Sequence, residues 1–526
     1  MAPNIEDLEA EIKAKVAEVK ASAEQAKPSK NGHKSSIEKE IDKTQLGIAD
    51  RFCKAYQNDF KYVDGIGWFS WTGTHWEQNE SLARVAMRKI VEQILEQAKT
   101  LEKQAIDVKY SKDDSHEAKA KALEKEAREY KLLSQKHMTA NGLSEALRAA
   151  RDNQSMRAKL SMFDTNKMLL NCSNCTVNLA TGEQNPHDRA DLITKIISTD
   201  YNLDATCPAW LKFLDDIMVN DSEMLDYLQR IVGLCLTGLT QEHAFFVLHG
   251  GGSNGKSTFL KTIQNLLGCY SDTVKTELLL RGGLSNAHAP TEEIAKLIGV
   301  RLAIASETDQ GKKLSESIVK QMTGGDSLTA RRNHQSPFKF IPEFKLFLMT
   351  NNRPDVDGVD EGIWRRIKLI PFLAEFKNGK ADPMLPQKLE AELPGILVWA
   401  IQGLHKYLAN DGTGGLIEPE KVKQATQDYR DEQNMFSAFL RQDLVPKMAP
   451  TERGYTVEVI QNRFNDWARR ENIDPMLSNE VSKELKKLGW EDKRAGHKGT
   501  RIKVPPAHWR TALSAENENL SAPQNQ

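Results

Sequence analysis

Residues 250–257 read Gly-Gly-Gly-Ser-Asn-Gly-Lys-Ser, a full match to the phosphate-binding pattern G-x-x-x-x-G-K-[ST]. In such a loop, backbone N–H groups turn inward around a phosphate, and the next helix points its positive N-terminal end at the same group. Lys256 is expected to reach the β- and γ-phosphates, and Ser257 to place its hydroxyl on Mg²⁺. The pattern predicts binding and hydrolysis of a nucleoside triphosphate; the alternative is a glycine-rich turn that holds no ligand.

The flanking sequence supplies the elements that this loop needs. An apolar run at residues 244–248 predicts a buried strand before the loop, and the apolar spacing within residues 258–267 predicts a helix after it. This strand–loop–helix order is the context in which the motif binds phosphate. The residues predicted to contact ATP are Gly250, Gly251, Gly252, Ser253, Asn254, Gly255, Lys256, Ser257 and Thr258.

A second predicted strand, residues 301–306, runs directly into Glu307. Parallel sheets carry their sites at the carboxyl ends of their strands, so Glu307 is expected beside the loop. There it would act as the carboxylate next to Mg²⁺ and the attacking water, with Asp309 as the second candidate. The alternative is an ordinary glutamate at a strand end.

A third apolar strand, residues 344–350, ends in Asn351. This amide could contact the γ-phosphate or polarise the attacking water, or it could belong to a turn before Pro354. Arg365 and Arg366 follow shortly afterwards. One of them could reach a neighbouring subunit's nucleotide as an arginine finger, a recurring part of phosphoryl transfer; the alternative is a basic pair on the surface.

Two basic segments predict contacts with nucleic acid. Residues 327–341 indicate a β-hairpin with a basic tip, and residues 493–503 indicate a basic hairpin after two helices, at 457–468 and 479–488. Both could contact a phosphate backbone, and both could equally be solvated surface hairpins. The residues assigned to DNA are Lys320, Arg331, Arg332, His334, Lys339, Lys493, Arg494, Lys498 and Arg501.

The composition of the 526-residue chain excludes several other classes. A hydrophobic content of 39% and a charged content of 28% are ordinary for a globular protein, and a net charge of −1 confines any nucleic-acid site to local patches. The sequence shows no apolar run of membrane length and no secretory signal at its N-terminus. Six cysteines fit a reducing cytoplasm. Cys172 and Cys175 form a C-x-x-C that lacks the second ligand pair of a zinc site, for which Cys207 is the only nearby candidate and His187 a weak fourth.

The pattern of segments predicts an α/β P-loop (AAA+-like) ATPase core between a mainly helical domain and a winged-helix-like domain. An N-terminal segment rich in Glu, Lys, Ala and Ser, which ends in a flexible linker, precedes these parts, and a polar tail follows them. The predicted boundaries are 1–45 for a charged helix and linker, 46–235 for the mainly helical domain, 236–380 for the ATPase core, 381–440 for a helical extension, 441–512 for the winged-helix-like domain and 513–526 for a disordered tail.

Taken in order, these motifs resemble those of superfamily 3 helicases of the AAA+ class. Within that class they are most similar to the poxvirus-type and satellite-phage primase–helicase group of phages and plasmids. The resemblance spans roughly residues 50–440. It is carried by residues 250–257, 305–308, 320–326, 330–331, 348–354 and 364–372, and upstream by 178–182, 200–201, 205–210 and 228–233.

The resemblance implies a hexameric ring that hydrolyses ATP with Mg²⁺ and translocates on single-stranded or forked DNA during phage, prophage or plasmid replication. It implies that Lys256 and Ser257 bind phosphate and Mg²⁺, that Glu307 is the catalytic carboxylate, and that Asn351 senses the γ-phosphate. It also makes Arg366, or Arg365, the finger. The chain shows no acidic pair of the primase kind, so a separate primase partner is expected, in a bacterial cytoplasm and away from membranes.

Two other functions compete with this interpretation. An ATP-switched replication initiator would use the C-terminal hairpin to bind one origin sequence, with unwinding secondary. A small-molecule P-loop kinase would share the loop but would not need the basic hairpin or the arginine pair. Stimulation of the ATPase by single-stranded DNA separates the kinase from the other two.

Overall fold

The computed structural model describes residues 42–110, 116–282, 292–306, 311–332, 337–356, 361–376, 382–409, 411–433, 435–445, 454–471, 473–495 and 500–505. Several predictions fall outside these residues: the 1–41 part of the N-terminal segment, the 513–526 tail, and Glu307, Asp309, His334 and Lys498. The described chain forms two compact units, and the first consists of residues up to 63, 67–70 and 78–158.

The first unit is mainly helical. Its longest helix is 30 residues and starts at the N-cap Asn79, whose side chain accepts from Leu82 N at 3.3 Å. Ala83, Met87, Ile90 and other apolar residues at helical spacing are buried along it, which explains why it packs on its neighbours. The elements within residues 42–158 are α1 (Gln45–Tyr56), β1 (Phe60–Val63), β2 (Gly67–Trp71), β3 (Trp76–Gln78), α2 (Glu80–Lys109), α3 (His116–His137), α4 (Ala140–Arg151) and β4 (Arg157–Ala158), of which Trp71 and most of β3 group with the second unit.

Most of the aromatic run at residues 68–76 is core, since Trp68, Phe69 and Trp76 are buried. Within the first unit, β1 pairs antiparallel with β2 and parallel with β4. Residues 159–235, which the sequence assigned to the helical domain, group by contacts with the residues that follow them. The predicted domain boundaries remain predictions.

The second unit is built around a parallel sheet. Its five strands are ordered β14-β8-β13-β10-β9, and every neighbouring pair is parallel. The central strands are buried on both faces, which explains their continuous apolar sequences. The strands are β8 (Phe245–His249), β9 (Ser271–Thr273), β10 (Leu302–Ser306), β13 (Lys345–Thr350) and β14 (Ile367–Pro371), and a separate small sheet contains β5 (Leu169–Asn171), β6 (Thr176–Asn178) and β7 (Gln184–Asn185).

Helices surround this sheet, and one of them is capped by a distant carboxylate. Glu392 accepts hydrogen bonds from the backbone N–H groups of Ala209 at 3.0 Å and Trp210 at 2.9 Å. These amides have no partner inside their own helix, so the carboxylate stabilises its first turn. The helices are α5 (Pro208–Met218), α6 (Ser222–Cys235), α7 (Lys256–Leu267), α8 (Glu292–Ala295), α9 (Glu316–Thr323), α10 (Glu361–Trp364), α11 (Leu385–Ala391), α12 (Leu393–Leu408), α13 (Glu420–Gln433) and α14 (Met435–Phe439).

Two hairpins and a C-terminal helix pair complete the described chain. The predicted basic hairpin is present as the antiparallel strands β11 (Leu328–Ala330) and β12 (Phe338–Phe340). At the C-terminus lie α15 (Val457–Arg470), α16 (Ser478–Lys487) and the antiparallel pair β15 (Glu491–Ala495) and β16 (Thr500–Val504). These are the elements that the sequence predicted there, packed on a shared apolar core that includes Phe464 and Leu485; the winged-helix assignment itself remains a prediction.

Candidate functional site

The loop between β8 and α7 has the backbone that its glycines predict. Gly252, Ser253 and Gly255 have φ values of 87°, 46° and 89°, in the left-handed region that favours glycine. A Cβ on Gly255 would lie 2.4 Å from Ile217 Cγ2, whereas nothing lies within 4 Å of the Cβ positions of Gly251 and Gly252. The loop is therefore closed against α5 on one side and open on the other.

Lys256 is the first residue of α7, and it is buried. Its Nζ donates to Gly250 O at 2.7 Å, Asn254 Oδ1 at 3.0 Å and Asn351 Oδ1 at 3.0 Å. Burial lowers the pKa of Lys256. In the part of the chain that the structure describes, these acceptors are all neutral oxygens, so they orient the cation without neutralising it.

Asn254 connects the loop to the strand beside it. Its Oδ1 accepts from Lys256, while its Nδ2 donates to the carbonyl of Phe372 at 3.2 Å. The N–H of Phe376 in turn donates to Ser253 O at 2.8 Å. From the sequence, Asn254 is identified only as a residue of the loop. Its hydrogen bond to the segment after β14 depends on the order of the strands in the sheet, which the loop motif does not reveal.

The loop after β8, the start of α7 and the carboxyl end of β13 line a cleft of about 340 Å³, through residues 252–258 and 349–351. Asn351 and Lys256, which are distant in sequence, meet here. The hydroxyl of Ser257 lies 3.4 Å from Met349 Sδ and is exposed to solvent. The last described residue of β10, Ser306, pairs with Met349 at the same edge of the sheet; Glu307 and Asp309 lie beyond the described residues.

The two candidate finger arginines differ in their surroundings. Arg366 is half-buried, and its Nη1 donates to Gly362 O at 2.6 Å. Its Nη2 also lies 3.7 Å from the position that a Cβ on Gly324 would occupy. Arg365 is exposed. The side chain of Arg366 is thus engaged within its own chain, whereas that of Arg365 faces solvent.

The residues assigned to DNA fall into exposed and partly buried groups. Arg331 and Lys339 are exposed on the β11–β12 hairpin, whereas Arg332 is half-buried, and burial lowers its pKa. Lys320 is half-buried on α9 and lies 3.6 Å from Glu316. His334 is outside the described residues.

The C-terminal hairpin carries its basic residues on its surface. Lys493, Arg494 and Arg501 are exposed. Arg494 and Arg501 lie directly opposite each other on β15 and β16, an arrangement that repels in the protein alone. Lys503 is different, since it is buried and bonded to Asp492 at 3.0 Å. Lys498 is outside the described residues.

The cysteine pair does not form part of a metal cluster within the described ranges. Cys172 and Cys175 are buried, and burial raises the pKa of both thiols, which disfavours the thiolate that zinc requires. His187, the weak fourth candidate, contacts Asn171 Oδ1 at 2.8 Å through its Nδ1. Within the described residues, no group of three or more His, Cys, Asp or Glu side chains is placed to hold a metal ion.

The fold and the cleft define a mixed α/β protein with a parallel sheet and a helical N-terminal region. Residues 49–219 match the domain family described as D5 N terminal like, and residues 248–366 match a family of unknown function. The described helices include none that is both long and apolar enough to cross a membrane.

Several proteins that are similar to this chain come from large DNA viruses. A protein named "Putative helicase" in Acanthamoeba polyphaga mimivirus is 31% identical over 59% of this chain and 34% of its own length. One of that name in Invertebrate iridescent virus 6 is 25% identical over 65% of this chain and 38% of its own length. A protein named "Putative primase" in African swine fever virus is 22% identical over 45% of this chain and 26% of its own length.

The D5 match covers residues 49–219 alone, and these similar proteins are named as helicases and a primase. The chain spans well under half the length of these relatives. Among solved structures, the C-terminal region of NrS-1 is similar over 58% of this chain and 78% of that chain, with 9% identity and a TM-score of 0.38.

Proposed function

We propose that this protein is an ATP-dependent DNA helicase. The observation that carries the proposal is Lys256, a buried cation whose described acceptors are all neutral and which lies at the rim of an open cleft. A buried charge without a counter-charge is costly, and an anion supplied by a ligand removes that cost. A triphosphate can supply this anion, because the positive N-terminal end of the helix and the N–H groups of the loop attract negative charge to the same place as Lys256.

The residues present also fit Mg²⁺–ATP. The exposed hydroxyl of Ser257 offers a hard oxygen ligand at the mouth of the cleft, and the carboxylate of Glu307 follows β10 in sequence. When bound, the metal would neutralise developing charge on the phosphates. Lys256 would hold the phosphate end, and Asn351, whose Oδ1 lies 3.0 Å from Lys256 Nζ, would orient groups at the γ-position.

DNA contacts are the second half of the proposal. The exposed Arg331 and Lys339 provide cations on the β11–β12 hairpin, which we assign to the translocating strand. Arg494 and Arg501 provide another pair on the β15–β16 hairpin, where their mutual repulsion favours binding of a phosphate between them. Viral relatives named as helicases support this assignment.

Assembly into a ring is part of the proposal, and the exposed Arg365 is the better candidate for a finger. Arg366 holds the carbonyl of Gly362 within its own chain, so releasing it would cost that contact. Arg365 is exposed and reaches a neighbour without that loss. We assign to Arg365 the stabilisation of phosphate charge across the subunit interface, and to Arg366 a structural role at the Gly362 carbonyl of its own chain.

Strand displacement tests the whole proposal. Purified protein is given forked DNA with 3′, 5′ or both tails, with and without ATP and Mg²⁺. We expect ATP-dependent displacement by the wild type and none by Lys256→Ala, which loses the phosphate cation. Asn351→Ala and Glu307→Gln should retain ATP binding and lose most turnover. An ATPase unaffected by DNA, with no displacement on any fork, would contradict the helicase assignment.

One observation favours a second candidate, an origin-binding initiator. The Arg494–Arg501 pair is suited to duplex as well as single-stranded phosphates. An initiator would bind one duplex sequence far more tightly than others at a fixed salt concentration, whereas a helicase would bind duplexes uniformly. Selection from a random duplex pool distinguishes the two.

A further inference from the structure

A groove runs alongside α7 next to the phosphate cleft. It has a volume of about 250 Å³, and α7 forms one wall with Thr258, Lys261 and Asn265. Pro386 and Glu390 of α11 and Leu393 at the start of α12 form the opposite wall. Residues three and four apart share a helix face, which explains how α7 presents these polar side chains in one stripe.

The groove and the phosphate cleft adjoin each other. Ser257 and Thr258 line both of them. From Ser257 to Asn265 the helix rises by ~12 Å, so the groove leads away from the phosphate end along the helix. A ligand anchored by phosphates at the start of α7 therefore has its remaining part beside this stripe.

We propose that this groove binds the nucleoside half of the triphosphate. The two walls offer complementary chemistry for a base and its sugar. Pro386 and Leu393 offer apolar surface to the flat face of a base, and Glu390 accepts from an O–H or N–H donor. Asn265 can donate and accept, while Lys261 donates only. Ligand sites combine apolar walls with a few convergent polar groups in this way.

The charge distribution favours a nucleoside over other occupants. A DNA strand would place phosphates beside the Glu390 carboxylate, where like charges repel. A nucleoside carries no charge of its own, and its ribose offers two hydroxyl donors to that carboxylate. The inference rests on the proposed function, because it takes the phosphate cleft as the anchor.

Comparison of ATP with inorganic tripolyphosphate isolates the groove. Tripolyphosphate occupies only the phosphate cleft, whereas ATP occupies both parts. Binding is measured by calorimetry with Mg²⁺ present, on the full chain, for the wild type, Glu390→Ala and Asn265→Ala. Gln387→Ala serves as the matched control, because Gln387 is exposed on the same helix α11 but does not line the groove.

We expect ATP to bind Glu390→Ala about tenfold more weakly than the wild type, equivalent to about 1.4 kcal/mol. Tripolyphosphate affinity should stay the same, and Gln387→Ala should match the wild type with both ligands. The 2′-deoxy and 3′-deoxy forms of ATP show whether Glu390 accepts from the sugar. If the wild type binds one of these analogues more weakly than ATP, and Glu390→Ala binds that analogue and ATP equally, Glu390 accepts from the hydroxyl that the analogue lacks. If neither analogue behaves in this way, Glu390 contacts the base, and a comparison of ATP with GTP and UTP tests that contact.

Two results would overturn the inference. If Glu390→Ala and Asn265→Ala bind ATP as the wild type does, the groove does not hold the nucleoside. Equal weakening of ATP and tripolyphosphate would mean that these residues act on the phosphate cleft instead. A failure of the proposed function would give a different result. The wild type would then bind neither ATP nor tripolyphosphate, and Lys256→Ala would not change the binding of either.

Discussion

At the scale of single residues, two buried lysines at opposite edges of the parallel sheet contrast with each other. Lys256 lies at the carboxyl edge, beside an open cleft. Lys345 starts β13 at the opposite edge, and its Nζ donates to the carbonyls of Thr237 and, at 3.3 Å, Glu343. Burial lowers the pKa of Lys345 to about 7. Its acceptors are backbone carbonyls just beyond the end of α6 and near the start of its own strand, which gives it a structural role.

Lys345 should make the stability of the protein depend on pH. Its pKa falls from an ordinary 10.5 to about 7 in the folded chain, so between these values the unfolded state binds more protons. The free energy of unfolding therefore rises with pH over this window, by up to about 1.4 kcal/mol per pH unit from this group. We expect the wild type to gain stability relative to Lys345→Met from pH 7.5 to 9.5 in denaturant titrations.

The variant is the control, because it keeps the neighbouring Cys235, Arg301, Glu343 and Lys167, which act on the same group. Because both proteins contain these groups, their own titration largely cancels when the free energies of unfolding of the wild type and Lys345→Met are subtracted. A difference that stays constant across the pH range would mean that Lys345 is charged in the folded protein throughout.

At the scale of elements, α6 and α12 touch backbone to backbone. A Cβ on Gly403 would lie 2.1 Å from Gln229 O, and one on Gly233 would lie 2.3 Å from Leu404 N. Backbone atoms cannot rotate away as a side chain can, so any larger residue forces the helices apart. This contact fixes α12, whose first residue lines the groove beside α7.

Gly403→Ala should therefore destabilise the protein by at least about 2 kcal/mol, as overpacking does in cores. Helix propensity alone predicts the opposite sign, a gain of about 1 kcal/mol. Thermal and denaturant unfolding measure the outcome, with Gln402→Ala on the exposed side of α12 as the control. A stabilised Gly403→Ala protein would show that the helices are not in contact at this point.

The two basic hairpins should do different work on DNA. Arg331→Ala with Lys339→Ala should leave basal ATP hydrolysis intact and abolish strand displacement, because the hairpin loses its grip on the translocating strand. Arg494→Ala with Arg501→Ala should weaken duplex binding and reduce its salt dependence by about two phosphate contacts. Displacement from a preformed fork should survive better in the second variant. Identical defects in both variants would contradict this division.

Much of the second unit followed from sequence. The strands β8, β10 and β13 and the helix α7 were predicted from continuous apolar runs and helical spacing, because a fully buried parallel strand has that pattern. Asn351 and Lys256 lie in contact at the carboxyl edge of the sheet, whereas the sequence left Asn351 open between a γ-phosphate contact and a turn before Pro354. The bond from Asn254 to Phe372 and the groove at Glu390 were not predicted, since they depend on which strand and helix lie next to the loop.

At the scale of the whole molecule, the proposed ring requires two half-sites, the loop of one subunit and the arginine of the next. Arg365→Ala should lower ATP hydrolysis at least tenfold with little change in ATP affinity. Mixed with Lys256→Ala, it should regain part of the activity, because some interfaces pair an intact loop with an intact arginine. The same mixing experiment with Arg366→Ala instead of Arg365→Ala serves as the comparison. No recovery in mixed oligomers of verified composition would exclude action across subunits.

The strand β14 has a further consequence for such a ring. Arg365 and Arg366 immediately precede it, and Phe372, whose carbonyl holds Asn254, immediately follows it. The strand is about 16 Å long and pairs with β8 along its length, so it cannot stretch. In the proposed ring, the strand would link the arginine at the subunit interface rigidly to the loop that is expected to hold the triphosphate, so a displacement at one end would be transmitted to the other.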